Sequence, residues 1–239
     1  MKSMKSGIII ALLLILKQHA SAQGFVNLNF ESANIPNGTS PGSLISISDG
    51  MPGWSAYFVS SGATNQTTQV AYEGISLGGV AVSIVDTNVG FGFNPIQGKY
   101  SAFLFGGVGN DNQPYSAQVS QTGFVPSGTE SIQFDALLSY GPAFIVALGG
   151  QTISMSPLQT FAGYTLYGGN IPTYLAGESA TLSITEPPPS GTPPSILELD
   201  NIQFSTSSIP EPRNLGVLAL CSIFFTWLWQ RKTKQNKQL

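Results

Sequence analysis

The side chains that most often carry out chemistry in proteins are scarce in this chain and lie close to its ends. The one His, His19, falls within the first 22 residues, and the one Cys, Cys221, falls within an apolar run near the C-terminus. Residues 23–210 therefore contain no His, no Cys and no Arg. Ser-His-Asp and Cys-His nucleophile systems cannot be assembled there, and neither can a zinc site with His or Cys ligands. A disulfide framework is excluded as well.

Carboxylates are the reactive groups that remain in the middle of the chain. Residues 23–210 hold eleven Asp and Glu against one Lys, a net charge of −10, whereas the whole chain carries −3. Such a segment has no basic patch to neutralise phosphates, so nucleic-acid binding is excluded. Two carboxylates can cleave a glycoside without a His, so a glycoside hydrolase or lyase remains an alternative. The low charge and the abundance of Ser and Thr favour a non-catalytic binding or structural role, and we expect no enzyme.

The first 22 residues have the three parts of a secretory signal peptide. Lys2 and Lys5 precede an apolar run over residues 7–16, and the small residues Ala20 and Ala22 follow it. This pattern predicts cleavage by signal peptidase after Ala22, which leaves Gln23 as the new N-terminus. An uncleaved N-terminal helix is the alternative interpretation.

An uncharged apolar run over residues 215–229 lies near the C-terminus. It is short beside the roughly 20 residues that a spanning helix needs, so the predicted transmembrane helix takes in polar neighbours and covers residues 214–230. A basic tail follows the run, with Arg231, Lys232, Lys234 and Lys237. By the positive-inside rule this tail stays in the cytoplasm, and the acidic middle of the chain is exported across the inner membrane.

The residues just before the apolar run complete a recognisable arrangement. Pro210, Glu211 and Pro212 are followed by the short hydrophobic segment and then by the basic tail. In this order the C-terminus resembles the PEP-CTERM sorting signal of Gram-negative bacteria that make an extracellular polysaccharide. The resemblance implies processing by exosortase near the Pro-Glu-Pro motif, after which the exported part reaches the cell surface or the extracellular matrix. A plain single-span membrane anchor is the alternative.

Residues 23–204 are predicted to form one all-β domain, with residues 205–209 as a short polar linker. Gly, Pro, Ser, Thr and Asn interrupt the segment at short intervals, and no apolar pattern of helical period is sustained. Short apolar runs at such spacing indicate a β-sandwich or barrel. Candidate strands cover residues 24–30, 55–59, 68–72, 80–85, 101–105, 116–122, 130–138, 144–148, 151–154, 164–167, 179–184 and 196–204.

The last candidate strand contains an irregularity in its apolar pattern. Leu197 and Leu199 occupy odd positions, whereas Ile202 and Phe204 occupy even positions. Because successive side chains of a strand point to opposite faces, this change of parity predicts a β-bulge at Asp200 and Asn201.

Four short motifs give the domain a second resemblance. The motifs cover residues 29–31, 52–54, 98–102 and 199–202. Their order is similar to that in galactose-binding-like jelly rolls, many of which are carbohydrate-binding modules. The resemblance implies a jelly-roll sandwich in which the first and last strands are neighbours. It also implies that Glu31 and Asp200 bind a structural calcium, with Asn29 or Asn201 as helpers. Solvated edge positions, or an Asp200 that only caps the bulge, are the alternatives.

Carbohydrate recognition combines flat aromatic faces with amide and carboxylate groups at the edges of the sugar ring. The loop over residues 106–114 carries Asn110, Asp111 and Asn112, and Tyr115 follows it. Because loops at the end of a sandwich often carry binding sites, these four residues are the candidate ligand-binding set, for which an extracellular polysaccharide would be the partner. The alternative for Tyr115 is a half-buried position in a strand.

Overall fold

The computed structural model of the chain describes residues 23–74, 78–87, 94–140, 144–189 and 195–210. The predicted signal peptide, transmembrane helix and basic tail lie outside the described residues, as do Glu211 and Pro212. Within the described ranges no helix has the length and apolar character needed to cross a bilayer.

Nearly all of the regular secondary structure in the described residues is β-strand. Besides the strands there is one short helix, α1 (Ile47–Gly50), and a 3₁₀ turn over Thr173–Leu175. The strands are β1 (Leu44–Ser46), β2 (Ser55–Val59), β3 (Thr64–Thr67), β4 (Gln69–Tyr72), β5 (Ala81–Asp86), β6 (Tyr100–Val108), β7 (Pro114–Phe124), β8 (Ser131–Ser139), β9 (Ile145–Leu148), β10 (Gln151–Ile153), β11 (Ser156–Thr160), β12 (Thr165–Asn170), β13 (Ser179–Glu186) and β14 (Ser195–Ser205).

The strands form two layers that are joined where β6 turns into β7. The β7 layer has the order β10-β9-β13-β7-β2-β3, and the β14 layer has the order β1-β4-β5-β6-β14-β8-β12-β11. Neighbouring strands are antiparallel except for the parallel pair of β4 and β5. The prediction of an all-β, jelly-roll-like sandwich is confirmed.

The core lies between the two layers. Val119 and Ile184 of the β7 layer and Leu104, Phe134 and Leu199 of the β14 layer are fully buried in one cluster. The central strands β6 and β8 contribute every second residue to this cluster, as the period of an extended chain requires. Burial of apolar surface from both layers at about 25 cal/mol per Å² is the main stabilising contribution.

The predicted β-bulge is present in β14. The pairing of β14 with β8 shifts between Asp200 and Gln203, and Asn201 has a φ of 51°. After the shift Ile202 is 3% exposed and lies in the same core cluster as Leu199. The bulge thus keeps both halves of the strand facing inward while it turns Asp200 and Asn201 toward Asn29 and Glu31.

The prediction of a strand over residues 24–30 is wrong. Gly24 forms one isolated bridge with Phe124, and the following residues form turns in which Asn27 and Phe30 have positive φ. The segment still packs on the core, because Phe30 is fully buried and stacks on Trp54 with ring centroids 5.6 Å apart. Packing of Phe30 and hydrogen bonds such as those between Val26 and the Gln121 side chain therefore hold this segment in place of a strand ladder.

Three strands were not expected from the sequence. β1 and β3 are short, and β3 consists of Thr, Asn and Gln residues without an apolar face. β11 contains Pro157 and lies at the end of the β14 layer, a position where a missing N–H is tolerated.

Candidate functional site

Two hollows in the described surface bring together the residues that the sequence singled out. The first, called the hairpin hollow, has a volume of about 350 Å³. It is lined by Phe58, Asn65, Gly79, Val80, Val108, Gly109, Asn110, Asp111 and Tyr115. The second, called the terminal hollow, has a volume of about 160 Å³ and is lined by Asn29, Glu31, Gln97, Gly98, Asp200 and Asn201.

The turn between β6 and β7 shapes one wall of the hairpin hollow. The Gly109 amide donates to the Gln113 carbonyl at 2.8 Å, which closes the turn. The Asp111 carboxylate accepts from the Gln113 amide at 3.1 Å, and Asn112 takes a positive φ of 59°. These bonds within five residues fix the direction in which the side chain of Asp111 points.

Tyr115 and Asp111 form a bonded pair on that wall. The phenol of Tyr115 donates to the second carboxylate oxygen of Asp111 at 3.0 Å. The Gln113 amide and this phenol lower the pKa of Asp111, and the same hydrogen bond raises the pKa of Tyr115. The pair therefore presents a flat ring beside a charged hydrogen-bond acceptor.

Gly109 makes room for this pair. A Cβ atom at position 109 would lie 2.6 Å from the Tyr115 ring and 2.8 Å from an Asp111 oxygen. Both distances are shorter than van der Waals contact, so a side chain there would displace the ring or the carboxylate. A glycine is required where the turn passes this close to the two side chains.

β2 and β3 also line the hairpin hollow, because β2 pairs directly with β7 and places Phe58 across from Ala117, two residues from Tyr115. Phe58 of β2 supplies an aromatic ring and Asn65 of β3 supplies an amide. Neither was predicted, because β3 has no apolar pattern and the pairing of Phe58 with Asn65 follows from the register of the hairpin. Three of the four predicted residues, Tyr115, Asn110 and Asp111, line this hollow, whereas Asn112 is not among its lining residues.

In the terminal hollow the first and last parts of the domain meet. Glu31 accepts hydrogen bonds from the backbone amides of Lys99 at 2.8 Å and Tyr100 at 3.1 Å. Asp200 accepts from the Gln97 amide and the Ser101 hydroxyl, each at 3.1 Å. The segment that precedes β6 is thus held between two carboxylates that lie 169 positions apart in the chain.

A third carboxylate lies next to Asp200. Asp135 of β8 is the direct cross-strand partner of Asp200 and accepts from the Gln97 side-chain amide at 2.6 Å. Burial raises the pKa of Asp200 to about 6, and the charge of Glu31 acts in the same direction, while hydrogen bonds from Asn201, Gln97 and Ser101 oppose it. Carboxylates packed without a cation are costly to keep ionised.

The donor atoms of the terminal hollow fit a hard cation. Asn29, Glu31, Gln97, Asp200 and Asn201 line it, and carboxylate and amide oxygens are the ligand types that calcium prefers. A Cβ at Gly98 would collide with the Glu31 carboxylate, so the glycine keeps the hollow open. Among the residues that the structure describes, no group of three or more His, Cys, Asp or Glu side chains is placed to hold a metal ion. Amide and carbonyl oxygens or water would have to complete the coordination of a cation.

Comparisons with known proteins give two distant structural likenesses. No protein-family model matches the chain, and no curated protein matches it. The chain is similar to the carbohydrate-binding module TmCBM61 in complex with β-1,4-galactotriose, at 14% identity and a TM-score of 0.41, over 77% of this chain and 98% of that chain. It is also similar to the enzymatically active domain of bacteriophage CBA120 tailspike protein 4, at 12% identity and a TM-score of 0.36, over 64% of this chain and 19% of that chain. Neither likeness assigns the chain to a family.

Proposed function

We propose that the domain is a non-catalytic glycan-binding module that takes a neutral sugar in the hairpin hollow. The observation that carries this proposal is the Tyr115–Asp111 pair, a ring bonded to a carboxylate, which lines the same hollow as Phe58 and Asn65. Pyranose rings have apolar C–H faces and polar edges, and this hollow offers both kinds of contact. Its volume of about 350 Å³ is at the lower end for small-ligand sites, which suits one or two sugar rings.

The charge of the domain supports a neutral ligand. Residues 23–210 carry −10, so an anionic polysaccharide would be repelled at physiological salt. A neutral galactan, glucan or mannan meets no such barrier. Hydrogen bonds to Asp111, Asn110 and Asn65 would then select among neutral sugars by the positions of their hydroxyl groups.

A hydrolytic role is less well supported than binding. Glycoside hydrolysis needs two carboxylates that flank the scissile bond. Among the described residues that line the hairpin hollow, Asp111 is the one carboxylate. In the terminal hollow Asp200 is 1% exposed, so a polymer could not reach it. These observations therefore support glycan binding better than glycan hydrolysis.

Export and sorting form the second part of the proposal. Residues 1–22 direct export, residues 214–230 hold the chain in the inner membrane, and exosortase then cleaves near Pro210, Glu211 and Pro212. The domain would thereby reach the cell surface or a polysaccharide matrix. Mass spectrometry of the mature protein from its native cells tests this part, because a mature form that retains residues 231–239 contradicts processing.

We also propose a structural role for calcium in the terminal hollow. A cation bound by Glu31 and Asp200 would offset the repulsion between two carboxylates and join the first segment of the domain to its last strand. It would take no part in sugar binding, because the two hollows share no lining residue.

A glycan panel tests the binding proposal. The full chain in detergent is passed over immobilised β-1,4-galactan, β-glucan, mannan, alginate and polygalacturonate, and retention and released reducing sugar are both measured. We expect saturable retention on at least one neutral polymer without release of sugar. Release of sugar would instead support the hydrolase or lyase. If no polymer retains the chain, the binding proposal is contradicted and a structural role at the cell surface is the remaining interpretation.

A further inference from the structure

The residues just before the Pro-Glu-Pro motif lie against the domain. The Asn170 side-chain amide donates to the Ile209 carbonyl at 2.9 Å and accepts from the Ile209 amide at 2.6 Å. Upstream, the Ser131 hydroxyl donates to the Ser207 carbonyl at 2.8 Å, and the Glu130 amide donates to the Ser205 carbonyl at 2.8 Å. Ser205 belongs to β14, and the rest of the segment predicted as a linker crosses the end of β8 to reach the end of β12.

The chain therefore leaves the domain over one particular side of the sandwich. The side chains of Ile209 and Leu158 both lie over Gly168 of β12, each about 3 Å from where a Cβ of Gly168 would be. On the inner side of β12, a Cβ at Gly169 would contact Ile153 of β10 and Met155. β10 and β11 are the end strands of their layers, and they meet on this side. We call the side formed by β9, β10, β11, β12 and the turn over residues 161–164 the lateral edge.

The lateral edge belongs to a stretch of sequence without charge. Residues 136–177 contain no Asp, Glu, Lys or Arg, although the domain has a net charge of −10. Of the nine large hydrophobic residues that are exposed among the described residues, three lie on the lateral edge: Ile145 of β9, Leu158 of β11 and Phe161 of the turn. At the turn, Phe161 stacks on Tyr164 with centroids 4.8 Å apart, and Phe161 is 39% exposed. Exposed aromatic rings on a neutral surface are typical of contact with a membrane interface.

The length of chain beyond Pro210 limits the distance between this edge and a bilayer. Four residues separate Pro210 from Leu215, where the apolar run begins. An extended chain gains at most about 3.6 Å per residue, so Pro210 lies within about 18 Å of the start of the run. A domain tied so closely must turn some surface toward the lipid, and an acidic surface would be repelled by anionic headgroups.

We propose that the lateral edge is a docking surface for the phospholipid bilayer in which residues 215–229 are held, with the Phe161–Tyr164 turn as its contact point. This proposal rests on the membrane anchoring proposed above. In this orientation β9 to β12 and the turn over residues 161–164, which carry no charged side chain, face the lipid. The hairpin hollow faces away from the lipid, because β3 lies at the opposite end of the β7 layer from β10.

Paired fluorescent reporters test this orientation in the full chain. A C221S background allows one new Cys to be labelled, either A162C in the β11–β12 turn or A63C in the β2–β3 turn. Both alanines are exposed and lie in hairpin turns, but at opposite sides of the sandwich. The labelled chains are reconstituted in vesicles of phosphatidylcholine and phosphatidylglycerol that contain nitroxide lipids. We expect quenching at position 162 to exceed that at 63 by about twofold or more, since docked apolar surfaces enter the interface by several ångströms.

A charge-matched pair of variants tests whether the surface itself causes the docking. Gln159 in β11 and Gln66 in β3 are both exposed. Q159E should reduce the quenching at position 162 in vesicles with phosphatidylglycerol, while Q66E should leave it unchanged, because only the first places a negative charge against the lipid.

Three further outcomes would each contradict the docking proposal, and they distinguish its failure from a failure of membrane anchoring. If the unmodified chain fails to float with vesicles, the anchoring proposal fails and this one falls with it. If the chain floats but the two positions are quenched equally, anchoring stands and the orientation is wrong. If cross-links join position 162 of two chains, a second copy covers the lateral edge and the bilayer proposal is overturned.

Discussion

Asn170 and Ile209 are joined by a reciprocal pair of hydrogen bonds, in which the side-chain amide of one residue satisfies both backbone polar groups of the other. The Asn170 side chain thus makes the two hydrogen bonds to the Ile209 backbone that a neighbouring strand would otherwise make. Through this pair the start of the Pro-Glu-Pro motif has a fixed position on the lateral edge. Any enzyme that recognises the motif would meet it beside a folded domain.

Removing the Asn170 amide should release this segment without unfolding the domain. Two hydrogen bonds at about 1 kcal/mol each are lost in Asn170→Ala, so amide exchange at Ile209 should become roughly 5- to 30-fold faster. Hydrogen exchange with mass spectrometry on a peptide that contains Ile209 measures this change. Asn170→Asp is the control, because it keeps the acceptor for the Ile209 amide and should give an intermediate effect. Unchanged exchange in Asn170→Ala would show that the pair does not hold the segment.

Truncation of Tyr115 should weaken glycan binding. Tyr115→Ala removes the ring from the hairpin hollow, and loss of a central aromatic contact should raise the dissociation constant about tenfold or more. Tyr115→Phe keeps the ring but loses the bond to Asp111, so its effect should be smaller. Isothermal titration with the glycan retained on the panel gives both values. Tyr174→Ala, at an exposed tyrosine that does not line the hollow, should bind as the wild type does, and an equal loss in that variant would contradict the assignment.

Calcium should stabilise the domain through the terminal hollow. A cation at 100 times its dissociation constant would add about 2.7 kcal/mol to the free energy of unfolding. The melting temperature of the full chain in detergent should therefore be higher in excess calcium than in excess chelator. Glu31→Gln and Asp200→Asn should lose the difference, whereas Glu130→Gln, at an exposed carboxylate outside the hollow, should keep it. If the wild type melts at the same temperature in excess calcium and in excess chelator, the proposed calcium site is contradicted.

Stability should fall as the pH rises because of Glu186. This residue is fully buried, and among the residues that the structure describes neither of its carboxylate oxygens has a hydrogen-bond partner. Burial raises the pKa of Glu186 from 4.5 to about 8. The folded state therefore binds a proton that the unfolded state has lost between these two values, and its stability decreases across that window.

The variant Glu186→Gln isolates this effect. The amide cannot ionise, so the variant should gain stability relative to the wild type as the pH rises from about 5 to about 8. Each pKa unit corresponds to about 1.4 kcal/mol, so the gain should reach a few kcal/mol. Chemical unfolding followed by tryptophan fluorescence at several pH values measures it, since Trp54 lies in the core. Parallel pH profiles for variant and wild type would contradict the assignment.

Several features of the fold follow directly from local sequence patterns. The sequence predicted a strand over residues 130–138, and β8 is present over Ser131–Ser139 with Ile132, Phe134 and Ala136 buried. The parity change at Asp200 predicted the bulge, because the two-residue period of a strand leaves no other way to keep Leu199 and Ile202 on one face. For residues 24–30 the same reasoning gave a wrong prediction, because Phe30 reaches the core from a turn in which its φ is positive.

The candidate sites could be predicted only in part. Asp111 and Tyr115 are four residues apart, so their pairing depends on one turn that the sequence marks with Gly, Asn and Asp. Phe58 and Asn65 come from another hairpin, and nothing in their local sequence indicates that this hairpin lies beside the first. Glu31 and Asp200 were linked by a family resemblance, and the structure brings both to the terminal hollow.

The sequence alone determined the class of the fold, the acidic and His-free character of residues 23–210, and the neutral stretch over residues 136–177, because composition and strand period are local properties. Tertiary structure alone decided which strands are neighbours, that β9 to β12 of the neutral stretch form one side of the sandwich, and that Ile209 is held on that side by Asn170. Those relations depend on pairing between residues far apart in the chain. Such pairing is selected by the packing of the whole core, which no local pattern encodes.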